Sequence, residues 1–186
     1  PSAVVSLEEG TQADLIRQLG NGDIEIALLY DLELPENISV RHAAKFAPHV
    51  LLPPNHRLAK SETIRLEWLA AEPFILLDIP PSREYFLGLF RTEGLKPKIR
   101  FSSHSLETVR GMVGQGLGYS VLVTRPLVDA TYDGGQVVIK PIGNQVSPSA
   151  VSLARLQHVR PTRVALSFEK FCMEQLSDLP RCFPES

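Results

Sequence analysis

Three hydroxyl residues stand where a helix pattern starts after an apolar run: Thr11 in "LEEGTQADLIRQLG", Ser82 in "LLDIPPSREYF" and Ser105 in "RFSSHSLETV". A hydroxyl at a helix start accepts a hydrogen bond from a free backbone N–H group. The remaining free N–H groups and the positive end of the helix dipole make the same place attractive to an anion. Asp14 sits three residues after Thr11, the capping-box position. Arg83, beside Ser82, can grip a carboxylate through two parallel charge-assisted hydrogen bonds. Singly, each hydroxyl is an ordinary cap and Arg83 a solvated surface arginine. Together they point to a small anionic ligand, because ligands of open α/β sheets gather beyond the carboxyl ends of the strands. Gly10 is expected to let the backbone approach that ligand closely.

Other chemistry finds little support. The histidines (His42, His49, His56, His104, His158) are scattered, and none has a His, Cys or carboxylate at metal-ligand spacing. His104, between Ser103 and Ser105, could donate to a ligand as a neutral imidazole, but a surface histidine is the simpler reading. "GQGLG", Gly114 to Gly118, follows a helix and precedes a strand, the reverse of a dinucleotide-binding loop, so it reads as a helix end and tight turn. No Walker loop and no G-x-S-x-G elbow occurs. Asp31 and Asp78 each end a strand without forming an acid–base pair. "RLQHVRPTR", Arg155 to Arg163, reads as a solvated loop rather than a nucleic-acid patch. No catalytic residue, metal or cofactor is expected.

The elements that position these residues alternate. The 186 residues suit one ordinary domain or two small lobes; 44% hydrophobic and 22% charged residues suit a globular chain. A net charge of −2 gives no basic signal for nucleic acid, and no apolar run is long enough to span a bilayer. Cys172 and Cys182 read as reduced cysteines of a cytoplasmic protein. The chain opens on Pro1 with neither an initiator methionine nor a signal peptide, and it reads as a fragment.

Strands are expected at Val4–Glu8, Ile24–Tyr30, Ile38–Phe46, His49–Leu52, Phe74–Leu77, Ile99–Phe101, Tyr119–Val123, Val137–Ile139 and Ala150–Leu153. Helices are expected at Thr11–Leu19, Leu66–Ala71, Ser82–Thr92, from Ser105, and at Thr162–Leu176. Gly20-Asn21-Gly22 should stop the first helix. The nearly continuous apolar run Ile24–Tyr30 suggests a buried parallel strand. The alternation gives an α/β protein with mainly parallel sheets. The tail "SDLPRCFPES" is expected to be poorly ordered.

Read together, "EGTQADLIRQLGNGDIEIALL", "VLLPPNHRLAK", "IRLEWLAAEPFILLD", "SLETVRGMVGQGLGYSVLV" and "PSAVSLAR" resemble the effector-binding domain of LysR-type transcriptional regulators in order and spacing. The resemblance covers nearly the whole chain. It implies a fold like the type 2 periplasmic binding proteins: two Rossmann-like α/β lobes joined by two crossing strands, with a small effector in the cleft. One lobe would comprise 1–46 and 141–186, the other 47–140. The residues matching the family's effector contacts are Thr11, Gln12, Tyr30, Pro80, Ser82, Arg83, Ser103 and Ser105. The resemblance also implies a homodimer or tetramer, and operator DNA bound only through a winged helix-turn-helix that these residues do not include. The family's domain begins with one further strand and helix, so an isolated chain starting at Pro1 would leave a gap in the first sheet and is expected either to be poorly stable or to recruit a partner strand.

The effector is expected to be a carboxylate. A periplasmic solute-binding protein of the same fold is the alternative reading; an enzyme of similar lobed architecture is a third, without a nucleophile or cofactor loop to support it.

Overall fold

A computed structural model describes residues 5–177, so the expected disorder of the tail and the state of Cys182 lie outside the described residues. The described chain divides into two compact units, 5–45 with 149–177, and 46–148.

In the first unit, α1 (Gln12–Asn21) is capped by Thr11, whose side chain accepts from the Asp14 N–H. It stops at Gly22, which takes the left-handed conformation (φ 79°) that a residue with a Cβ resists. Leu19 is buried, and Leu15 and Ile16 pack beside it against Ala27, Leu29, Ile38 and Ala154. These last residues come from three strands, β1 (Ala27–Tyr30), β2 (Ile38–Phe46) and β8 (Ser149–Leu156). Their order is β1-β8-β2, with β1 antiparallel to β8 from Ala27↔Ala154 to Tyr30↔Val151. Helix α4 (Arg163–Ser177) closes the unit; Thr162 accepts from the Ala165 N–H and Arg41 pairs with Glu169 at 3.0 Å.

Two expectations fail in this unit. Residues 5–8 form no strand and are exposed, because no neighbouring strand among the described residues offers them backbone partners. The run Ile24–Tyr30 is not a parallel strand buried on both faces. Its strand begins only at Ala27, pairs antiparallel and alternates in burial, with Leu28 half-exposed.

The second unit holds one antiparallel sheet, β6 (Ser120–Leu122)-β3 (His49–Leu52)-β7 (Val138–Pro141), and a parallel pair, β4 (Pro73–Leu77) with β5 (Lys98–Ser103). Among the described pairings only β4–β5 is a parallel ladder, so the expectation of mainly parallel sheets is corrected. Helices α2 (Ser82–Thr92) and α3 (Leu106–Gly114) follow β4 and β5. The apolar faces expected to point inward are Phe86, Leu89 and Phe90 on α2, which are buried, and Leu106, Val109, Met112 and Val113 on α3, of which Val109 and Val113 are buried and Leu106 and Met112 only half-buried. Phe74 stacks obliquely between Phe90 and Tyr119, with ring centroids 5.4 and 5.1 Å away. The segment expected as a helix at Leu66–Ala71 is a single 3-10 turn, Leu66–Trp68.

Gly118 is more than part of a turn. A Cβ there would lie 2.3 Å from the Pro73 carbonyl oxygen, which accepts the Tyr119 N–H at 3.0 Å. The missing side chain therefore lets the entry to β6 lie against β4. Arg110 is a residue that apolar periodicity does not reveal. It is fully buried on α3, donates to the carbonyls of Val128 and Ala130 at 2.9 and 2.8 Å, and pairs with Glu107 at 3.1 Å.

Candidate functional site

The parallel ladder places the carboxyl ends of β4 and β5 side by side, and the helix that follows each strand starts there. The Asp78 N–H donates to the Ser103 carbonyl at 2.9 Å, which carries the pairing one residue past β4. Ser103 Oγ accepts from the Ser105 N–H at 3.1 Å, and Ser105 Oγ accepts from the Thr108 N–H at 3.3 Å. Ser105 is thus the N-cap of α3, as its position in the sequence suggests.

Ser82 is not a cap. It is the first residue of α2; the N-cap position is held by Pro81, which makes no side-chain bond, and the Pro80–Pro81 peptide is cis. The helix start instead presents Arg83. Its Nη1 lies 2.7 Å from Asp78 Oδ2, and its Nε lies 3.8 Å from Glu84 Oε1. The Arg83 guanidinium holds the Asp78 carboxyl below the usual carboxylate range, helped by the nearby His104 and a hydrogen bond from Ser102. His104 itself is exposed. Five of the candidate residues, Pro80, Ser82, Arg83, Ser103 and Ser105, thus gather at one end of the β4–β5 ladder.

The other three candidates gather in the first unit. Thr11 Oγ1 accepts from the Asp14 N–H at 3.2 Å and donates to Asp14 Oδ2 at 2.7 Å, so its hydroxyl is used within the cap. That bond and the Arg17 guanidinium hold the Asp14 carboxyl below its usual range. Gln12 Nε2 donates to the Leu32 carbonyl at 2.6 Å, and the Leu32 N–H donates to the Tyr30 carbonyl at 2.9 Å. The start of α1 is therefore tied to the chain leaving β1. Within the chain, a Cβ at Gly10 would meet only Asp14, at ordinary distances of 3.5 Å to its Cβ and 4.0 Å to its Oδ2.

Among the described residues no group of three or more His, Cys, Asp and Glu side chains could hold a metal ion, and no helix is long and apolar enough to cross a membrane.

The chain is similar to known transcription regulators. The transcriptional dual regulator GltC of Bacillus subtilis is 28% identical over 169 residues, 81% of this chain and 55% of GltC. The crystal structure of HinK, a LysR family transcriptional regulator from Pseudomonas aeruginosa, superposes with a TM-score of 0.87 at 44% identity, covering 91% of this chain and 59% of HinK. The effector binding domain of QuiR in complex with shikimate superposes with a TM-score of 0.77 at 20% identity, covering 91% of this chain and 80% of that domain, a likeness of fold alone. The chain spans about half the length of the curated relatives it matches, 41% of TtuA from Agrobacterium vitis and 55% of GltC. The fold is α/β, of the type 2 periplasmic-binding-protein kind. The family model for the LysR substrate binding domain matches residues 1–177, and the chain belongs to that family.

Proposed function

We propose that this chain senses a small carboxylate on behalf of a DNA-binding transcription regulator. The contacts are Thr11, Gln12 and Tyr30 from the first unit, and Pro80, Ser82, Arg83, Ser103 and Ser105 from the second. The observation that supports this reading most is the shared end of β4 and β5. There the helix starts of α2 and α3, one arginine and three serines meet at the place where α/β sheets receive ligands. QuiR, of the same fold, is described in complex with shikimate, itself a carboxylate.

The signal is a shift in population. The effector binds one arrangement of the two units better than the other and draws the chain toward it. The shift is only as large as the ratio of the two affinities. The whole regulator acts in the cytoplasm as a homodimer or tetramer and reads its operator through a winged-helix segment outside these residues.

The test is a thermal-shift screen of small carboxylic acids, shikimate among them, on the wild type, Thr11→Val and Arg83→Met. An acid that raises the wild-type melting temperature, with the rise reduced in both variants, supports the reading. Acids that leave the wild type unmoved, while a neutral or cationic compound raises its melting temperature, overturn the carboxylate.

A further inference from the structure

The second connection between the units, 142–148, is fastened along its length to the second unit. At its start Ile142 forms a bridge with Ile64, and the Gly143 N–H donates to the Ile64 carbonyl at 2.8 Å. Asn144 follows as a three-way tie. Its Oδ1 accepts the Leu66 N–H at 2.9 Å, and its Nδ2 donates to Glu67 at 3.1 Å and to Glu93 at 2.7 Å. Arg65 and this amide hold the Glu67 carboxyl down at about 2, with Arg65 the larger influence, so Glu67 accepts as a full anion. Glu93 is the C-cap residue of α2. Near the end of the connection, the Tyr85 hydroxyl donates to the Ser147 carbonyl at 2.8 Å, two residues before the chain changes units at Ser149.

Both ends of α2 therefore hold the connection: Glu93 through Asn144, and Tyr85 through Ser147. Tyr85 lies two residues after Arg83, in the same first turn that carries Ser82 and Arg83 toward the candidate site. Its ring is braced edge-on by Phe86, centroids 5.5 Å apart, and Phe86 is buried. A helix moves as a rigid rod, so a displacement of that first turn carries the Tyr85 hydroxyl with it.

We infer that Tyr85 is a positioning residue of the sensor: its hydroxyl fastens the second connection between the units to the first turn of α2, so that a movement of that turn is passed to the connection. The inference rests on the sensing reading above for its purpose, but not for its test. Losing one net hydrogen bond of about 1 kcal/mol changes a population ratio by about fivefold.

The test uses the whole chain with Cys172 and Cys182 changed to Ser and spin labels at the exposed positions Glu36→Cys and Glu62→Cys, one on each unit. Pulsed dipolar spectroscopy then gives the distribution of label distances. Tyr85→Phe, which removes only the hydroxyl, is expected to raise the minority part of that distribution about fivefold. Asp78→Asn, which releases Arg83 in the first turn of α2, is expected to alter the distribution with Tyr85 present and to leave it unaltered on top of Tyr85→Phe. A distribution unchanged by Tyr85→Phe, or equal effects of Asp78→Asn in both backgrounds, overturns the inference. No ligand is needed. If Tyr85→Phe and Asp78→Asn behave as expected while no acid stabilises the chain, the coupling stands and the carboxylate falls. If an acid stabilises the chain and the label distances ignore Tyr85, the coupling falls alone.

Discussion

Arg83 holds Asp78 at 2.7 Å, Nη1 to Oδ2, so the arginine best placed to receive an anionic ligand already faces a carboxylate from its own chain. Asp78 follows β4 directly, and its N–H is bonded to the Ser103 carbonyl. An incoming carboxylate must displace Asp78 or share the guanidinium with it. Asp78→Asn keeps the shape and removes the competing charge. It is expected to raise the affinity of the tightest acid by about tenfold, since a hydrogen bond between charged groups contributes about 1.5 kcal/mol or more. Arg83→Met should lower it by at least as much. Isothermal titration of the three proteins decides the matter; unchanged affinity in Asp78→Asn would show that Arg83 does not touch the ligand.

The three hydroxyls that look alike in sequence are expected to differ in stability. Thr11 and Ser105 each accept a backbone N–H at the start of a helix, whereas Ser82 makes no capping bond. Thr11→Ala and Ser105→Ala should each cost about 1 kcal/mol. Ser82→Ala should change stability by no more than about 0.5 kcal/mol. Urea unfolding curves of the three variants measure this directly; a loss in Ser82→Ala equal to the others would mean that its hydroxyl has a structural partner.

That difference also marks how far the sequence could be read. Periodicity and caps placed α1, α2 and α3 within about two residues, because Leu19, Phe86, Leu89, Phe90, Val109 and Val113 repeat at helical spacing and are in fact buried. Strand direction was not legible: an apolar run such as Ile24–Tyr30 is compatible with parallel or antiparallel partners, and the partner of β1 lies more than a hundred residues away in β8. The fold itself was legible through the family resemblance rather than through the strands. At the site, residue types suggested Arg83 and Ser105, while the bond from the Asp78 N–H to Ser103 and the Asn144 tie depend on contacts between distant segments. Arg110 escaped for a simpler reason. An arginine on an apolar face looks like a break in the pattern until the Val128 and Ala130 carbonyls that it satisfies are brought to it.

Gly118 should tolerate no side chain. A Cβ there would sit 2.3 Å from the Pro73 carbonyl oxygen, a backbone atom that cannot swing aside. Gly118→Ala must therefore part β4 from the entry to β6 and weaken the bond from the Tyr119 N–H to Pro73. The expected loss is about 1–3 kcal/mol, the range for forced overpacking. Gly116→Ala provides the comparison, since a Cβ there meets nothing and only its left-handed φ of 76° opposes it. Thermal melts should rank Gly118→Ala well below Gly116→Ala; the reverse order would mean that the β4–β6 contact adjusts freely.

His49 should make stability fall as the solution turns mildly acidic. The ring is fully buried on β3, and burial pushes its pKa down to about 4, with Arg125 and Arg110 adding to the effect and a hydrogen bond to the Ala47 backbone opposing it. In the unfolded chain the same ring titrates near the ordinary histidine value of about 6.5. Between these values the unfolded chain binds a proton that the folded chain refuses. Stability is therefore complete above about pH 6.5 and is lost as the pH falls toward 4. The full effect is on the order of 3 kcal/mol, of which about 2 kcal/mol should be gone by pH 5. His49→Gln removes the titrating group, so it should be less stable than the wild type at pH 7.5 yet lose less on going to pH 5. Urea unfolding at the two pH values gives the comparison. Parallel losses in the two proteins would mean that the ring protonates in place within the folded chain.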